Sequence, residues 1–198
     1  MSKLETNTID NISGSSTLNI GDTNATNITI DNGVTTLDFG TGISTVSNIP
    51  KALSNTPAFE AYLSADQTGI TDVTETKVQV NTESFDTDNC YDNSTNYRFT
   101  PTVAGKYYVY GRVSIDEAAG NTRNALAYIY KNGSEKVRSF VNFHSSLASD
   151  GEGASPTVSA VIDFNGSSDY VELYTNHGMG STRSTIGAFL GGYKIIGA

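Results

Sequence analysis

From residue 58 onward, apolar and polar residues alternate with the period of two that is typical of β-strands. Nine segments rich in Val, Ile, Tyr and Phe fit this pattern, and turn residues separate them. They are residues 58–63, 77–80, 97–99, 106–115, 124–131, 136–144, 157–164, 169–175 and 185–196. No segment has a helical period of useful length. The pattern therefore predicts an all-β sandwich, jelly roll or barrel.

The connections between the predicted strands are of two kinds. Tight turns lie at 101–104, 132–134 and 165–167, and longer, Gly-rich loops lie at 117–122, 146–154 and 178–184. In an antiparallel sandwich successive connections fall at opposite ends, so we expect the tight turns at one end and the long loops at the other. Gly105 and Gly133 follow turn signals and are expected to have positive φ. Adaptable loops on a rigid scaffold are typical of a binding surface.

The first 50 residues follow a different pattern. An apolar–polar–apolar triplet followed by turn residues occurs at 18–23, 28–33 and 37–42. Of these 50 residues, 32 are Ser, Thr, Asn, Gly or Asp, and Phe39 is the one aromatic. Strands this short become stable only by stacking on neighbours, and such neighbours can come from other chains. The alternative is a disordered polar leader. We expect a repetitive β stalk over 1–50, a linker over 51–57 and a head over 58–198.

The head resembles a known family in its central segment. "SFDTDNCYDNSTNYRFTPTVAGKYYVYGRV" is similar to the central motif of C1q/TNF-like domains. The later segments "IYKNGS", "DYVELYT" and "GAFLGGYKI" resemble further landmarks of that family, in order and roughly in spacing. The resemblance implies a jelly roll that assembles as a trimer around a three-fold axis, with both termini of the head at its base. This chain lacks the signal peptide and the collagen-like stalk of secreted animal members.

The opening segment "KLETNTIDNISGSSTLNIG" resembles the leaders of fibre and appendage proteins of tailed bacteriophages, especially those of marine hosts. In a trimer, three copies of each triplet would meet and close into apolar layers. The expected interface residues of the stalk are Leu18, Ile20, Ile28, Ile30, Leu37 and Phe39. In the head, tyrosines on both faces of their strands exceed what one core needs. The expected interface residues there are Tyr107, Tyr108, Tyr110 and Tyr174.

Charge and targeting signals narrow the range of possible functions. The formal net charge is −9 and no basic run occurs, which argues against nucleic-acid binding. The single cysteine, Cys90, excludes an internal disulfide and is expected to be a packed small side chain. The chain begins without a signal peptide and has no run long enough to span a bilayer, so we expect a protein made in the host cytoplasm.

Candidate reactive groups are sparse, and we expect neither an enzyme nor a bound cofactor. The two histidines, His144 and His177, form no recognisable catalytic set, and no nucleophile elbow precedes a helix. Asp86, Asp88 and Asp92 are ligand types that calcium prefers, but they lack the spacing of an EF-hand and are better read as turn residues. His177 could present three imidazoles to a transition metal at a trimer axis, although a lone surface histidine is the simpler interpretation.

These observations predict a homotrimeric virion fibre protein. Its amino-terminal segment would contact other virion proteins, and its head would decorate the particle or bind a host cell-surface glycan or protein. The expected receptor-facing residues of the loop end are Asn121, Asp150, Glu152, His177, Met179 and Arg183. Two alternatives stay open: a trimerisation cap that binds nothing, and a cellular C1q-like lectin or adaptor.

Overall fold

The structure, a computed structural model, describes residues 54–116, 124–142 and 154–196. These residues form twelve β-strands and no helix. The strands are β1 (Ala58–Tyr62), β2 (Gln67–Ile70), β3 (Thr76–Lys77), β4 (Thr82–Asp86), β5 (Tyr91–Asp92), β6 (Arg98–Phe99), β7 (Gly105–Ile115), β8 (Asn124–Lys131), β9 (Ser134–Asn142), β10 (Thr157–Phe164), β11 (Val171–His177) and β12 (Arg183–Lys194). The predicted stalk and its six interface residues lie outside the described residues.

The strands form two antiparallel sheets. Sheet A has the order β10-β7-β12-β1-β4, with β2 also paired to β12. Sheet B has the order β5-β6-β11-β8-β9, with β3 also paired to β11. This confirms the predicted all-β sandwich. Three strands were not predicted, β2, β4 and β5, because they are short and their sequences "QTGI", "TESFD" and "YD" lack a clear apolar alternation.

Strand β7 shows how the sequence pattern builds the core. Its odd-numbered positions from Tyr107 to Ile115 are buried between the sheets, and its even-numbered positions face outward. An aromatic stack closes one half of the core. The Phe59 ring of sheet A lies 4.2 Å from the Phe99 ring and 4.9 Å from the Tyr91 ring, both of sheet B. Cys90 is buried beside this stack, as expected for a small packed side chain.

One end of the sandwich, which we call the base, holds the three tight turns. Gly166 packs so closely on the first turn that a Cβ atom there would lie 2.4 Å from the amide nitrogen of Ala104. The Asn132 side chain joins the other two turns, because it accepts from the Tyr170 amide and donates to Asp169. The chain also enters β1 and leaves β12 at the base, where the Lys194 amide contacts the carbonyls of Asn55 and Pro57. The predicted grouping of turns and termini is confirmed.

The opposite end, which we call the tip, holds the residues that flank the long loops. The Gly178 amide donates to the Asn124 carbonyl, and the Asp116 amide donates to the Ser184 carbonyl. Ala154 pairs with Ile115 in an isolated bridge. Loops 117–123 and 143–153 therefore both begin and end at the tip, although their own residues are not described.

Glycine substitutions in the base provide the first test of this arrangement. Gly133 and Gly166 have nearly equal positive φ values, 77° and 72°, but only at Gly166 would a Cβ atom collide with backbone. We expect Gly133→Ala to lower the free energy of unfolding by about 1–2 kcal/mol through backbone strain alone. Gly166→Ala should lower it by at least about 2 kcal/mol more, because the Cβ atom overpacks the neighbouring turn.

Denaturant unfolding of both variants at one protein concentration measures the difference. Equal losses of stability would contradict the close packing of turn 165–167 on turn 101–104.

Candidate interaction surface

The outer face of sheet A carries a continuous group of aromatic side chains. Cross-strand register places Tyr108 opposite Tyr193 and places Phe189 opposite Tyr62. Four large apolar residues of this face are exposed in the single chain: Tyr62 at 43%, Phe85 at 47%, Val161 at 53% and Tyr193 at 41%. Together with Tyr108, Tyr110 and Phe189, they form what we call the aromatic face. Contiguous apolar surface of this kind marks an interaction site more often than it marks ordinary protein surface.

The rings of the aromatic face contact one another. The Tyr108 ring lies 5.8 Å from the Tyr193 ring and 5.9 Å from the Tyr110 ring, and Tyr110 lies 6.1 Å from Phe189. Gly191 sets the position of Tyr110, because a Cβ atom at Gly191 would lie 2.5 Å from that ring. Because Gly191 has no side chain, the Tyr110 ring lies close to the sheet there, and the face is broad and shallow. A depression of about 430 Å³ lies over Tyr108, Tyr110, Ser159 and Phe189.

Two charged side chains of the aromatic face contact its aromatic residues. The Tyr110 hydroxyl donates to Glu60 Oε2 over 3.0 Å. Burial and then this carboxylate raise the pKa of Tyr110 to about 12, so the hydroxyl stays protonated and keeps donating at neutral pH. The Arg112 guanidinium lies 5.6 Å from the centre of the Phe189 ring. A partner that covers this face would therefore find Tyr110 and Glu60 already paired and would have to supply hydrogen-bond acceptors for Arg112.

The predicted interface tyrosines of the head divide into three groups. Tyr108 and Tyr110 lie on the aromatic face, and their place in a trimer interface stays a prediction. The prediction for Tyr107 was wrong: its ring is fully buried between the sheets, 5.0 Å from Phe164, and no exposed surface is left for a partner. Tyr174 was also wrongly grouped, because it lies on sheet B, where its ring stacks on Tyr130 at 4.1 Å.

Sequence reasoning missed Phe189 and Tyr193, although a signal was present. In "GAFLGGYKI" these two residues occupy alternate positions to buried Ala188, Leu190 and Lys194. Their register against β7 then follows from the antiparallel pairing of β12. The run of glycines between them obscured the alternation.

The structure also corrects two of the predicted receptor-facing residues. Met179 is only 2% exposed and His177 is fully buried, so neither presents its side chain to a receptor. The His177 Nε2 atom lies 3.0 Å from the Ile70 carbonyl oxygen, inside the sandwich. Burial likewise removes His177 as a ligand for an axial metal. The two errors have different causes. His177 continues the inward alternation of β11, which extends past its predicted end at residue 175. The chain after His177 turns inward on an anchor that the sequence pattern did not reveal.

That anchor is Asp72. One of its carboxylate oxygens accepts from the Met179 amide over 2.8 Å and from the Gly180 amide over 2.9 Å. The same oxygen lies 3.4 Å from His177 Nδ1. The carboxylate therefore ties the loop after β11 to the segment after β2.

Of the other predicted tip residues, Arg183 is partly exposed, while Asn121, Asp150 and Glu152 lie outside the described residues.

The aspartates that were weighed as calcium ligands form turns. Asp92 accepts from the backbone amides of Ser94, Thr95 and Asn96, and Asp86 accepts from those of Asp88 and Tyr91. Hydrogen bonds from the backbone, that of Thr95 foremost, hold the pKa of Asp92 well below its usual range. Within the described ranges, no three His, Cys, Asp or Glu residues are placed to share a metal ion. Those ranges also hold no helix long and apolar enough to cross a membrane.

Comparison with known proteins identifies the fold. No protein-family model matches the chain, and no curated protein sequence matches it. Solved structures do match. The globular domain of zebrafish complement 1qA is 17% identical with a TM-score of 0.52, and it covers 70% of this chain and 96% of its own. The described head is a C1q/TNF-like jelly roll.

Two further structures have the same C1q/TNF-like fold. Eiger TNF from S. frugiperda is 11% identical with a TM-score of 0.52, covering 72% of this chain and 95% of its own. PRD1 vertex protein P5 is 17% identical with a TM-score of 0.53, covering 72% of this chain and 99% of its own. At these identities the match concerns the fold of the head.

Asp72→Ala tests the anchor of the tip. The variant leaves the Met179 and Gly180 amides without their acceptor, so we expect a loss of about 1–3 kcal/mol in the free energy of unfolding. Asp66→Ala is the matched control, since Asp66 is exposed and its side chain forms no hydrogen bond with the described residues. Urea unfolding measures both. A variant as stable as the control would show that Asp72 does not hold the loop.

Acid titration tests the turn role of Asp92. A carboxylate whose pKa is lowered on folding stabilises the folded state above its unfolded pKa, and this contribution is lost as the pH falls. We therefore expect Asp92→Asn to be less stable than the parent at neutral pH, with the two curves converging below about pH 4. Thermal melting across that range measures the convergence. A constant difference at all pH values would contradict the hydrogen-bonding assignment.

Proposed function

We propose that this chain is a homotrimeric structural protein of a virion, and that its C1q/TNF-like head self-associates through the aromatic face. The observation that carries the proposal is the exposure of Tyr62, Phe85 and Tyr193 on the same outer sheet face of the single chain. Removing the apolar surface of these side chains from water would favour association by roughly 25 cal/mol per Å² of buried area. Aromatic residues are enriched at interfaces between subunits, and two charged side chains of this face, Glu60 and Arg112, are held against Tyr110 and Phe189.

A closed ring of three subunits suits this face better than a two-fold dimer. The rings of Tyr108 and Tyr193 lie on the middle strands β7 and β12, and the sheet continues on both sides to exposed apolar residues, Val161 at one edge and Phe85 at the other. In a heterologous ring each subunit contacts two neighbours through two different surfaces. Both edges of the aromatic face would then be covered. The trimer that the family resemblance implies has this property.

Placement in a virion is supported by the amino-terminal segment and by one structural match. The polar triplet repeats over 1–50 resemble phage fibre leaders and would attach the head to the particle. PRD1 vertex protein P5, a phage protein, shares the fold of the head. Because the base holds both ends of the described head, an attached head would direct its tip away from the particle. We propose that the tip and the free sheet B contact the host surface, by binding and without catalysis.

Sedimentation of paired variants tests self-association. Tyr193→Asp places a carboxylate in the aromatic face, where burying an unpaired charge should weaken association by about 2 kcal/mol or more. Phe140→Asp is the matched control, because Phe140 is an exposed aromatic residue on the opposite sheet. We expect the parent and the control to sediment as three times the 21.0 kDa chain, and Tyr193→Asp to dissociate on dilution. A monomeric parent, or dissociation of the control alone, would refute the proposal.

Identification of the chain in particles tests the virion assignment. Quantitative mass spectrometry of virions purified from lysates of cells that encode this sequence should detect the chain. Its copy number per attachment site should be a multiple of three. Its presence in the soluble lysate and complete absence from particles would favour the cellular adaptor instead.

A further inference from the structure

A second surface lies on the outer face of sheet B, next to the tip. We call it the Phe140 patch, and its members are Asn124, Leu126, Arg138, Phe140 and Asn142. Antiparallel pairing of β8 with β9 sets Leu126 opposite Phe140 and Asn124 opposite Asn142. These side chains line a depression of about 280 Å³. Phe140 is 60% exposed there, more than any other aromatic residue that the structure describes.

The polar groups around Phe140 keep their hydrogen-bonding capacity. Among the described residues, the side-chain amides of Asn124 and Asn142 have no hydrogen-bond partner. The Arg138 guanidinium is 55% exposed and has only a loose contact with Glu135, 3.6 Å away. Gly178 leaves room for the Asn124 amide, since a Cβ atom at Gly178 would lie 2.9 Å from Asn124 Oδ1. The depression thus combines an apolar floor with amide and guanidinium groups at its rim.

This combination of apolar and polar groups restricts the chemical class of ligand that the depression can bind. A protein partner would bury both asparagine amides around a single aromatic anchor, and each amide would then need a hydrogen-bond partner at a fixed position. A nucleic acid would require several cations, and this acidic chain offers one in the patch. A sugar ring can contact both the apolar part of the depression and the polar groups at its rim. Its C–H face packs on an aromatic ring, while each hydroxyl donates and accepts hydrogen bonds as each amide does.

We infer that the Phe140 patch is a binding site for a pyranose sugar. The depression is smaller than the roughly 300–1,000 Å³ of sites for drug-sized ligands, which suits a single sugar ring. Its biological meaning rests on the proposed function, in which a trimer covers sheet A and leaves sheet B free. Three patches would then lie around the tip of each head, so weak single contacts would add up on a glycan-bearing surface.

Saturation-transfer NMR on the full-length chain tests the inference. The probes are the methyl glycosides of mannose, galactose, N-acetylglucosamine and glucuronic acid, of which the last reports a contribution of Arg138 to binding a carboxylate. We expect transfer to the C–H face of at least one probe. Phe140→Ala and Asn142→Ala should each weaken its affinity by about tenfold or more, and Phe140→Tyr should retain it. Ile196→Ala, an exposed apolar residue that follows β12 at the base and belongs to neither surface, is the matched control.

The outcomes separate this inference from the proposed function. No transfer to any probe from a chain that sediments as a trimer overturns the sugar site alone. Transfer that persists in Phe140→Ala overturns the assignment to this patch. If Phe140→Ala instead lowers the melting temperature strongly and no probe binds, another part of the chain covers the patch, and the inference is also wrong. Sugar binding by a monomeric chain would support the site while refuting the trimer.

Discussion

The period of two in strands β7 and β12 is the constraint on which the rest of this head depends. These strands pair along nearly their whole length in the middle of sheet A, and aromatic or β-branched residues occupy both faces. The inward set, with Tyr107, Val109 and Leu190, seals the core against sheet B. The outward set, with Tyr108, Phe189 and Tyr193, has no second sheet to cover it. The same pattern thus builds the core of the sandwich and leaves apolar side chains exposed on the outer face of sheet A.

The two ends of the sandwich serve different purposes. At the base, tight turns pack backbone on backbone, and Asn132 and Asp169 hold adjacent turns together. At the tip, longer connections meet, where the Asp72 carboxylate holds the loop after β11 and the Asp116 carboxylate accepts from the Ser184 amide. The aromatic face of sheet A and the Phe140 patch of sheet B lie on opposite sides, so the proposed self-association and the proposed sugar binding would use different areas.

Much of the fold could be predicted from the sequence because long alternating strands carry a strong signal. Strands β7, β8, β10 and β12 lie within two residues of their predicted bounds. The short strands β2, β4 and β5 were missed, because segments of two to five residues show too little alternation of apolar and polar positions. The tip residues were harder to predict. Met179 is buried where its amide donates to the Asp72 carboxylate, about a hundred positions earlier in the chain, and no local pattern reports a contact of that range. His177 faces inward because β11 continues past the predicted end at residue 175. Tyr174 was misassigned for a similar reason, because alternation gives the face of a strand but not the sheet to which it belongs.

The central claim is that copies of this chain cover the aromatic face of sheet A. Hydroxyl-radical footprinting of the parent protein over a dilution series tests it most directly, because oxidation of each aromatic side chain reports its exposure. Tyr62, Tyr108 and Tyr193 should be protected at high protein concentration and become reactive on dilution, while Phe140 on sheet B should react equally throughout. Equal oxidation of the sheet A tyrosines at every concentration, at the level expected from the single chain, would contradict the account.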